Sequence, residues 1–191
     1  MDLLAKVLKI KVVFTDVDGV LTDGRLFYGP NGVEGKNFHA RDGVAVGMLR
    51  RSGLQVGFLT GRFDAANRHR AEDLKVDFVC DGAFRKGEAL LERCRELGVQ
   101  PNECLMMGDD LVDLPAMRVA GVSVAVADAM ADVRGEADYV TAAAGGHGAF
   151  REMAEWLLRM QGKWDVATRR WFAPNPDAPA DATAEPPIIS G

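Results

Sequence analysis

The stretch FTDVDGVLTDG, residues 14–24, sets Asp16, Asp18 and Asp23 directly after the apolar run IKVVF. Like charges at the end of a buried strand repel one another and resist desolvation, so this spacing asks for a bound cation. In an extended segment Asp16 and Asp18 alternate with Val17, which lets both carboxylates face one way while Val17 packs behind them. Farther along, GDDLVD supplies Asp109, Asp110 and Asp113. Asp109 or Asp110, added to the first pair, gives a set of hard oxygen ligands. Such a set suits Mg²⁺, which takes one or two carboxylates together with waters and phosphate oxygens. Between the two acidic stretches stand LTGR, with Thr60, and FRKGEAL, with Lys86. These offer a hydroxyl donor and a point charge, both suited to phosphoryl oxygens. The chemistry these residue types share is a metal-assisted phosphoryl transfer.

For such groups to meet, the stretches that carry them must be the ends of neighbouring strands. KVVFTD, QVGFLTG, VDFVCDG, ECLMMGDD, VSVAVADA and DYVTA read as strands; GVAVGMLRRSG, DAANRHRAEDL, RKGEALLERCRELG and LVDLPAMRVAG read as helices between them. That alternation predicts an α/β fold, a doubly wound Rossmann-like parallel sheet with helices on both faces. In open sheets of this kind ligands bind at the carboxyl ends of the strands, where Asp16, Thr60, Lys86 and Asp109 all fall. A last helix, from about Ala149 to Trp164, carries Phe150, Met153, Leu157, Met160 and Trp164 at core spacing. GRLFYGPNGVEGKNFH breaks the alternation: β-formers on both sides of GPNG predict a β-hairpin flap at about residues 24–39.

The 191 residues, 48% of them hydrophobic, suffice for one well-filled domain, expected over residues 1–165. Residues 173–191 hold five of the eight prolines and little to bury, the composition of a disordered tail. A net charge of −5 argues against nucleic acid as a partner. Cys80, Cys94 and Cys104 lack CxxC spacing, so they read as buried, reduced thiols rather than a disulfide framework or a zinc site. Lys6, Lys9 and Lys11 interrupt the N-terminal apolar residues, which excludes a signal peptide or membrane span there and leaves a cytoplasmic protein with no membrane partner as the expectation.

The motifs DVDGVLTD, LTGR, FRKGEAL and GDDLVDLPAM occur in that order from Asp16 to Met117. In this the chain resembles the haloacid dehalogenase superfamily. Other readings of the same acids fare less well. A calcium loop would need oxygen ligands where Val20 and Phe27 stand. A receiver-like phosphoacceptor would carry adjacent acids on its first strand and its acceptor on the third, and a catalytically idle scaffold would have lost one of the groups.

The resemblance implies a two-step phosphohydrolase with Asp16 as nucleophile, Asp18 as acid and then base, and Thr60 and Lys86 on the phosphoryl group. Mg²⁺ would be held by Asp16, Asp109 and the backbone carbonyl of Asp18. The intervals from Asp16 to Thr60 and from Thr60 to Lys86 are filled by predicted elements, so no cap domain fits.

Over residues 10 to about 160 the flap, NFHARDGVAV, HRAEDL and AGGHGAFRE resemble a capless family within that superfamily. That family acts on 3-deoxy-D-manno-octulosonate 8-phosphate in lipopolysaccharide biosynthesis; a nine-carbon sugar acid phosphate is the alternative substrate. The resemblance further implies a substrate pocket of Asp18, Asn37, His39, Ala40, Arg41, Asp42, Gly43, Arg62, Arg70 and Lys86. The arginines would hold the carboxylate of a phosphorylated sugar acid. It also implies a homotetramer in which Arg151 acts on a neighbour's substrate; a salt bridge within its own helix is the alternative for that arginine. Leu26, Phe27, Tyr28, Val33 and Phe38 give the flap more apolar surface than a two-stranded hairpin can bury alone, which agrees.

Overall fold

Strand β1 (Val12–Thr15) has all four of its residues buried, as the middle strand of a parallel sheet must. The structure, a computed structural model, describes residues 2–30 and 32–172; the predicted tail at 173–191 lies outside the described residues. A short helix α1 (Leu3–Val7) precedes β1, and the hairpin strands β2 (Phe27–Gly29) and β3 (Gly32–Gly35) follow it. The remaining strands are β4 (Gln55–Leu59), β5 (Phe78–Cys80), β6 (Cys104–Gly108), β7 (Val122–Ala125) and β8 (Tyr139–Val140).

Six strands form one sheet in the order β5-β4-β1-β6-β7-β8, every neighbouring pair parallel. From β1 the chain first builds outward on one side, through β4 to β5, and then returns to the other side for β6. The crevice at the carboxyl end of β1 is therefore the topological switch point, where such sheets bind ligands.

Two helical layers cover this sheet. In one, α2 (Ala40–Arg51) packs on α7 (Ala149–Met160) and on α8 (Trp164–Phe172); in the other, α4 (Lys86–Leu97) packs on α5 (Leu114–Val119). Helix α3 (Ala65–Leu74) connects β4 to β5, and α6 (Ala131–Glu136) connects β7 to β8. Phe14, Phe58, Leu59, Met106, Met107 and Phe150 are fully buried between the layers. Cys94 and Cys104 are buried with their sulfurs 3.3 Å apart, whereas Cys80 is only half-buried. Among the described residues no helix is long and apolar enough to cross a membrane.

Several boundaries differ from expectation for local reasons. Helix α2 begins at Ala40 rather than Gly43, because His39 Nδ1 accepts the Arg41 N–H (3.3 Å) and so caps the helix early. The single helix expected to reach Trp164 ends at Met160. Gly162 then turns with φ +65°, a conformation glycine adopts without penalty, and α8 starts afresh. Helix α8 extends the folded part past residue 165. Its Ala167 and Thr168 are buried, and Arg51 donates to the Ala167 carbonyl while lying 4.8 Å from the Trp171 ring centre.

Candidate active site

At the switch point a cleft of about 250 Å³ is lined by Asp16, Asp18, Thr60, Lys86, Asp109 and Asp110, among others. Asp16, Asp18, Thr60, Asp109 and Asp110 follow the ends of β1, β4 and β6, and Lys86 opens α4 beyond β5. The Asp16 N–H donates to the Met107 carbonyl (3.0 Å), which continues the β1–β6 ladder one residue past the strand and fixes the nucleophile candidate at its tip. Lys86 is the first residue of α4, 3% exposed, and its ammonium reaches Asp16 Oδ1 at 2.9 Å and Asp113 Oδ1 at 2.6 Å.

Asp113 is fully buried. Its other oxygen accepts the backbone N–H groups of Asp109 (2.9 Å) and Asp110 (3.2 Å), so Asp113 ties down its own loop and anchors Lys86 at once. Asp110 instead caps the short 3-10 turn Leu111–Asp113 by accepting the Leu111 N–H.

Thr60, after β4, accepts hydrogen bonds at Oγ1 from the Arg62 N–H (3.2 Å) and from Asn67 Nδ2 (3.4 Å). With its lone pairs so engaged, the hydroxyl proton is left for a ligand in the cleft. Gly19 has φ +98°, and a Cβ there would lie 2.1 Å from Asp109 Oδ2. Only glycine lets the first acidic loop approach the second this closely. Gly145 plays the same part from the AGGHG segment: a Cβ on it would meet the Gly19 carbonyl at 1.8 Å, and the neighbouring Gly146 N–H donates to the Val20 carbonyl. That segment thus packs on the catalytic loop of its own chain.

Asp16, Asp109 and Asp113 each offer an oxygen within 4.8 Å of the others. Asp109 Oδ1 is buried without a hydrogen-bond partner in the protein. Burial pushes Asp16 up to about 7; Lys86 pulls it back down and Asp113 pushes it up further. Burial, reinforced by Asp16 and Asp113, pushes Asp109 up to about 8. Burial alone would lower Lys86, but Asp16 and Asp113 outweigh it and hold the ammonium above its ordinary value. Asp16, Asp109 and the buried Asp113 thus gather around one lysine, a surplus of negative charge that a divalent cation would cancel, restoring ionised acids. The residues present fit Mg²⁺. The Asp18 carboxylate lies outside this cluster. It pairs with Lys36 Nζ at 2.7 Å and with Arg62 Nε at 3.3 Å.

Of the expected substrate residues, Asp18, Arg62 and Lys86 line the cleft. The Asn37–Gly43 segment, Arg70 and Arg151 gather instead around the starts of α2 and α7. Asp42 lies apart from the cleft lining, at the start of α2. It is 2% exposed, accepts the Arg151 N–H at 2.9 Å through Oδ1, and is pushed up to about 6 by burial, so it joins α2 to the start of α7. Arg70 donates to Asp73 and to the His39 carbonyl and lies 5.3 Å from the Phe38 ring centre. Arg151 pairs with Glu155 one turn on, at 2.6 Å. Ala40, Gly43 and Arg70 line a separate groove with Arg51 and Trp171.

Sequence reading missed Lys36 and Asn67. The only signals were a lysine placed just after a hairpin strand and an asparagine inside a helix, where its side chain competes with the backbone.

A doubly wound sheet with these four loops at its switch point defines a haloacid dehalogenase-like phosphatase. A family profile described as haloacid dehalogenase-like hydrolase matches residues 76–153. The 3-deoxy-D-manno-octulosonate 8-phosphate phosphatase of Haemophilus influenzae is 44% identical over 161 residues, 84% of this chain and 89% of that protein. The cobalt-bound structure of the Haemophilus influenzae phosphatase superposes with a TM-score of 0.82 at 44% identity, covering 84% of this chain and 94% of that one. The Moraxella catarrhalis phosphatase, solved with magnesium ion, phosphate ion and the sugar acid KDO, gives a TM-score of 0.84 at 35% identity over 88% of this chain and 97% of that one. The chain belongs to the 3-deoxy-D-manno-octulosonate 8-phosphate phosphatase family of haloacid dehalogenase-like hydrolases, and it is a phosphoric monoester hydrolase.

Proposed function

We propose that this protein hydrolyses 3-deoxy-D-manno-octulosonate 8-phosphate to the free sugar acid and phosphate, with Mg²⁺ as cofactor, in cytoplasmic lipopolysaccharide biosynthesis. The observation that carries the reading is the meeting of Asp16, Thr60, Lys86 and Asp109 in one cleft, on a chain 44% identical to a phosphatase of that name.

Lys86 holds Asp16 Oδ1, which leaves Oδ2 to attack phosphorus. The new Asp16 O–P bond forms as the bond from phosphorus to the sugar oxygen breaks, and Asp18 gives its proton to the departing alkoxide. Asp18 then takes a proton from water, whose oxygen attacks phosphorus, releases phosphate and restores Asp16. Thr60 and Lys86 steady the phosphoryl oxygens. When bound by Asp16, Asp109 and the Asp18 carbonyl, Mg²⁺ supplies positive charge that offsets the repulsion between the anionic substrate and the acids.

Arg62, half-exposed beside Asp18 in the cleft lining, would hold the substrate carboxylate. Asn37, His39, Ala40, Arg41, Gly43, Arg70 and Arg151 lie outside this cleft; in a homotetramer they would serve a neighbour's site.

The test is phosphate release by the purified protein with Mg²⁺ on 3-deoxy-D-manno-octulosonate 8-phosphate, a nine-carbon sugar acid phosphate and glucose 6-phosphate. The eight-carbon acid should give the highest kcat/KM. Equal rates on glucose 6-phosphate would overturn the substrate assignment, and preference for the nine-carbon acid would replace it.

A further inference from the structure

Lys36 directly follows β3, a position from which a lysine normally reaches into water. Here its side chain is fully buried, and its ammonium meets Asp18 Oδ1 at 2.7 Å, Asp64 Oδ2 at 2.6 Å and Asn67 Oδ1 at 2.8 Å. The ammonium donates hydrogen bonds to Asp18 Oδ2 at 2.9 Å and to Asn67 Oδ1, and pairs with the Asp64 carboxylate as a charge, so it ties the loop after β1 to the start of α3. One acceptor belongs to the residue that handles the leaving-group proton. Another, Asn67, is fully buried and uses its amide nitrogen to donate to Thr60 Oγ1 at 3.4 Å. Asp64 in turn accepts the Asn67 N–H at 2.8 Å, which fixes the asparagine at the start of α3. A single side chain on the flap's return strand therefore braces two of the catalytic loops, one directly and one through an amide.

We propose that Lys36 is a positioning residue of the active site, one that holds the Asp18 carboxylate and the Asn67–Thr60 pair in place and so makes their alignment depend on the seating of the flap. This deepens the phosphatase reading above and rests on it. An anchor serving only hairpin stability would need no link to Asp18, because Asp64 and Asn67 suffice to hold it. Arg62 also reaches Asp18, but from a half-exposed side chain at a longer distance, so Lys36 is the more rigid of its two partners.

The experiment is a double-mutant cycle between Lys36→Met and Asp18→Asn, read as kcat/KM for two substrates in the Mg²⁺-loaded protein. The sugar acid phosphate has an alkoxide leaving group that needs a proton, whereas p-nitrophenyl phosphate does not. Lys36→Met should lower kcat/KM for the sugar acid phosphate about ten-fold or more, and for p-nitrophenyl phosphate no more than about three-fold. In the Asp18→Asn background the same substitution should cost at most about two-fold, since residues acting as a unit are not additive. Lys36→Arg keeps the charge but not the ammonium's geometry toward Asp18, Asp64 and Asn67. It should fold and show the same substrate split, which keeps the test decisive if Lys36→Met proves unstable. Equal losses on both substrates, or a full further loss in the Asp18→Asn background, would overturn the inference and leave Lys36 an anchor of the hairpin. Asp18→Asn alone checks the underlying mechanism: without a substrate split of its own, the acid role fails, while the coupling between the two positions still decides the case for Lys36.

Discussion

Replacing Asp113 with Ala removes the fully buried carboxylate that pairs with Lys86 at 2.6 Å and receives the N–H groups of Asp109 and Asp110. Losing one partner of a buried pair costs about 3–5 kcal/mol, because the other charge stays behind. One effect opposes this. Asp113 pushes the Asp16 and Asp109 carboxylates up, so its removal relieves some crowding of like charge, and Lys86 keeps Asp16 as a partner. The lower end of the range, about 3 kcal/mol, is therefore expected. For a domain of this size each kcal/mol moves Tm by about 2–4 °C, which gives a fall of roughly 6–12 °C. Thermal melts followed by circular dichroism, with and without Mg²⁺, measure it directly. Activity should also fall sharply, since Lys86 and the Asp109 loop lose a common anchor. A Tm within about 2 °C of the parent would refute the claim that Asp113 holds the site together.

Gly19→Ala would set a Cβ 2.1 Å from Asp109 Oδ2 at φ +98°, so it should weaken the Mg²⁺ dependence of activity by about ten-fold or more; an unchanged half-saturating Mg²⁺ concentration would contradict the close approach of the two loops. In chelator, Asp16 and Asp109 titrate near 7 and 8, above their ordinary value of 3.8, so the folded state binds the extra protons. Stability in urea melts should then fall as pH rises from about 4 to about 8, and Mg²⁺ should flatten that slope; a flat profile without metal would show that the surplus charge is absent. Phe27 and Tyr28 on the flap are 56% and 68% exposed, and light scattering should show a tetramer that Phe27→Asp dissociates; a fully active monomer before or after the substitution would end the tetramer reading.

The alternation of strands and helices was legible because each central strand is an apolar run followed by a polar residue of the cleft: VVFT then Asp16, and QVGFL then Thr60. The same feature made the candidate site legible, since the switch point gathers the ends of strands that are far apart in sequence. What escaped was set by tertiary partners. Helix α8 buries only Ala167 and Thr168, and it does so against α2, whose Arg51 donates to the Ala167 carbonyl. Strand β7 stops at Ala125, short of the expected VADA, because the chain turns there to let the Met130 N–H reach the Asp109 carbonyl. The bond from the Arg151 N–H to Asp42 joins residues 109 apart in the chain, which no local pattern could show. Lys36 carried no local mark beyond its place after a hairpin strand: its partners Asp18, Asp64 and Asn67 lie 18 or more residues away.

The most direct measurement is to find where phosphorus becomes attached to the protein during turnover. The purified enzyme, mixed with Mg²⁺ and 3-deoxy-D-manno-octulosonate 8-phosphate, is quenched in acid, reduced with borohydride and mapped by mass spectrometry. Reduction of an aspartyl-phosphate converts that aspartate to homoserine, and the modified residue should be Asp16, in the peptide that carries DVDGVLTD. Asp16→Asn should abolish both the modification and phosphate release. Turnover with no adduct, or an adduct at Asp18 or Asp109, would contradict the assignment of Asp16 as the nucleophile.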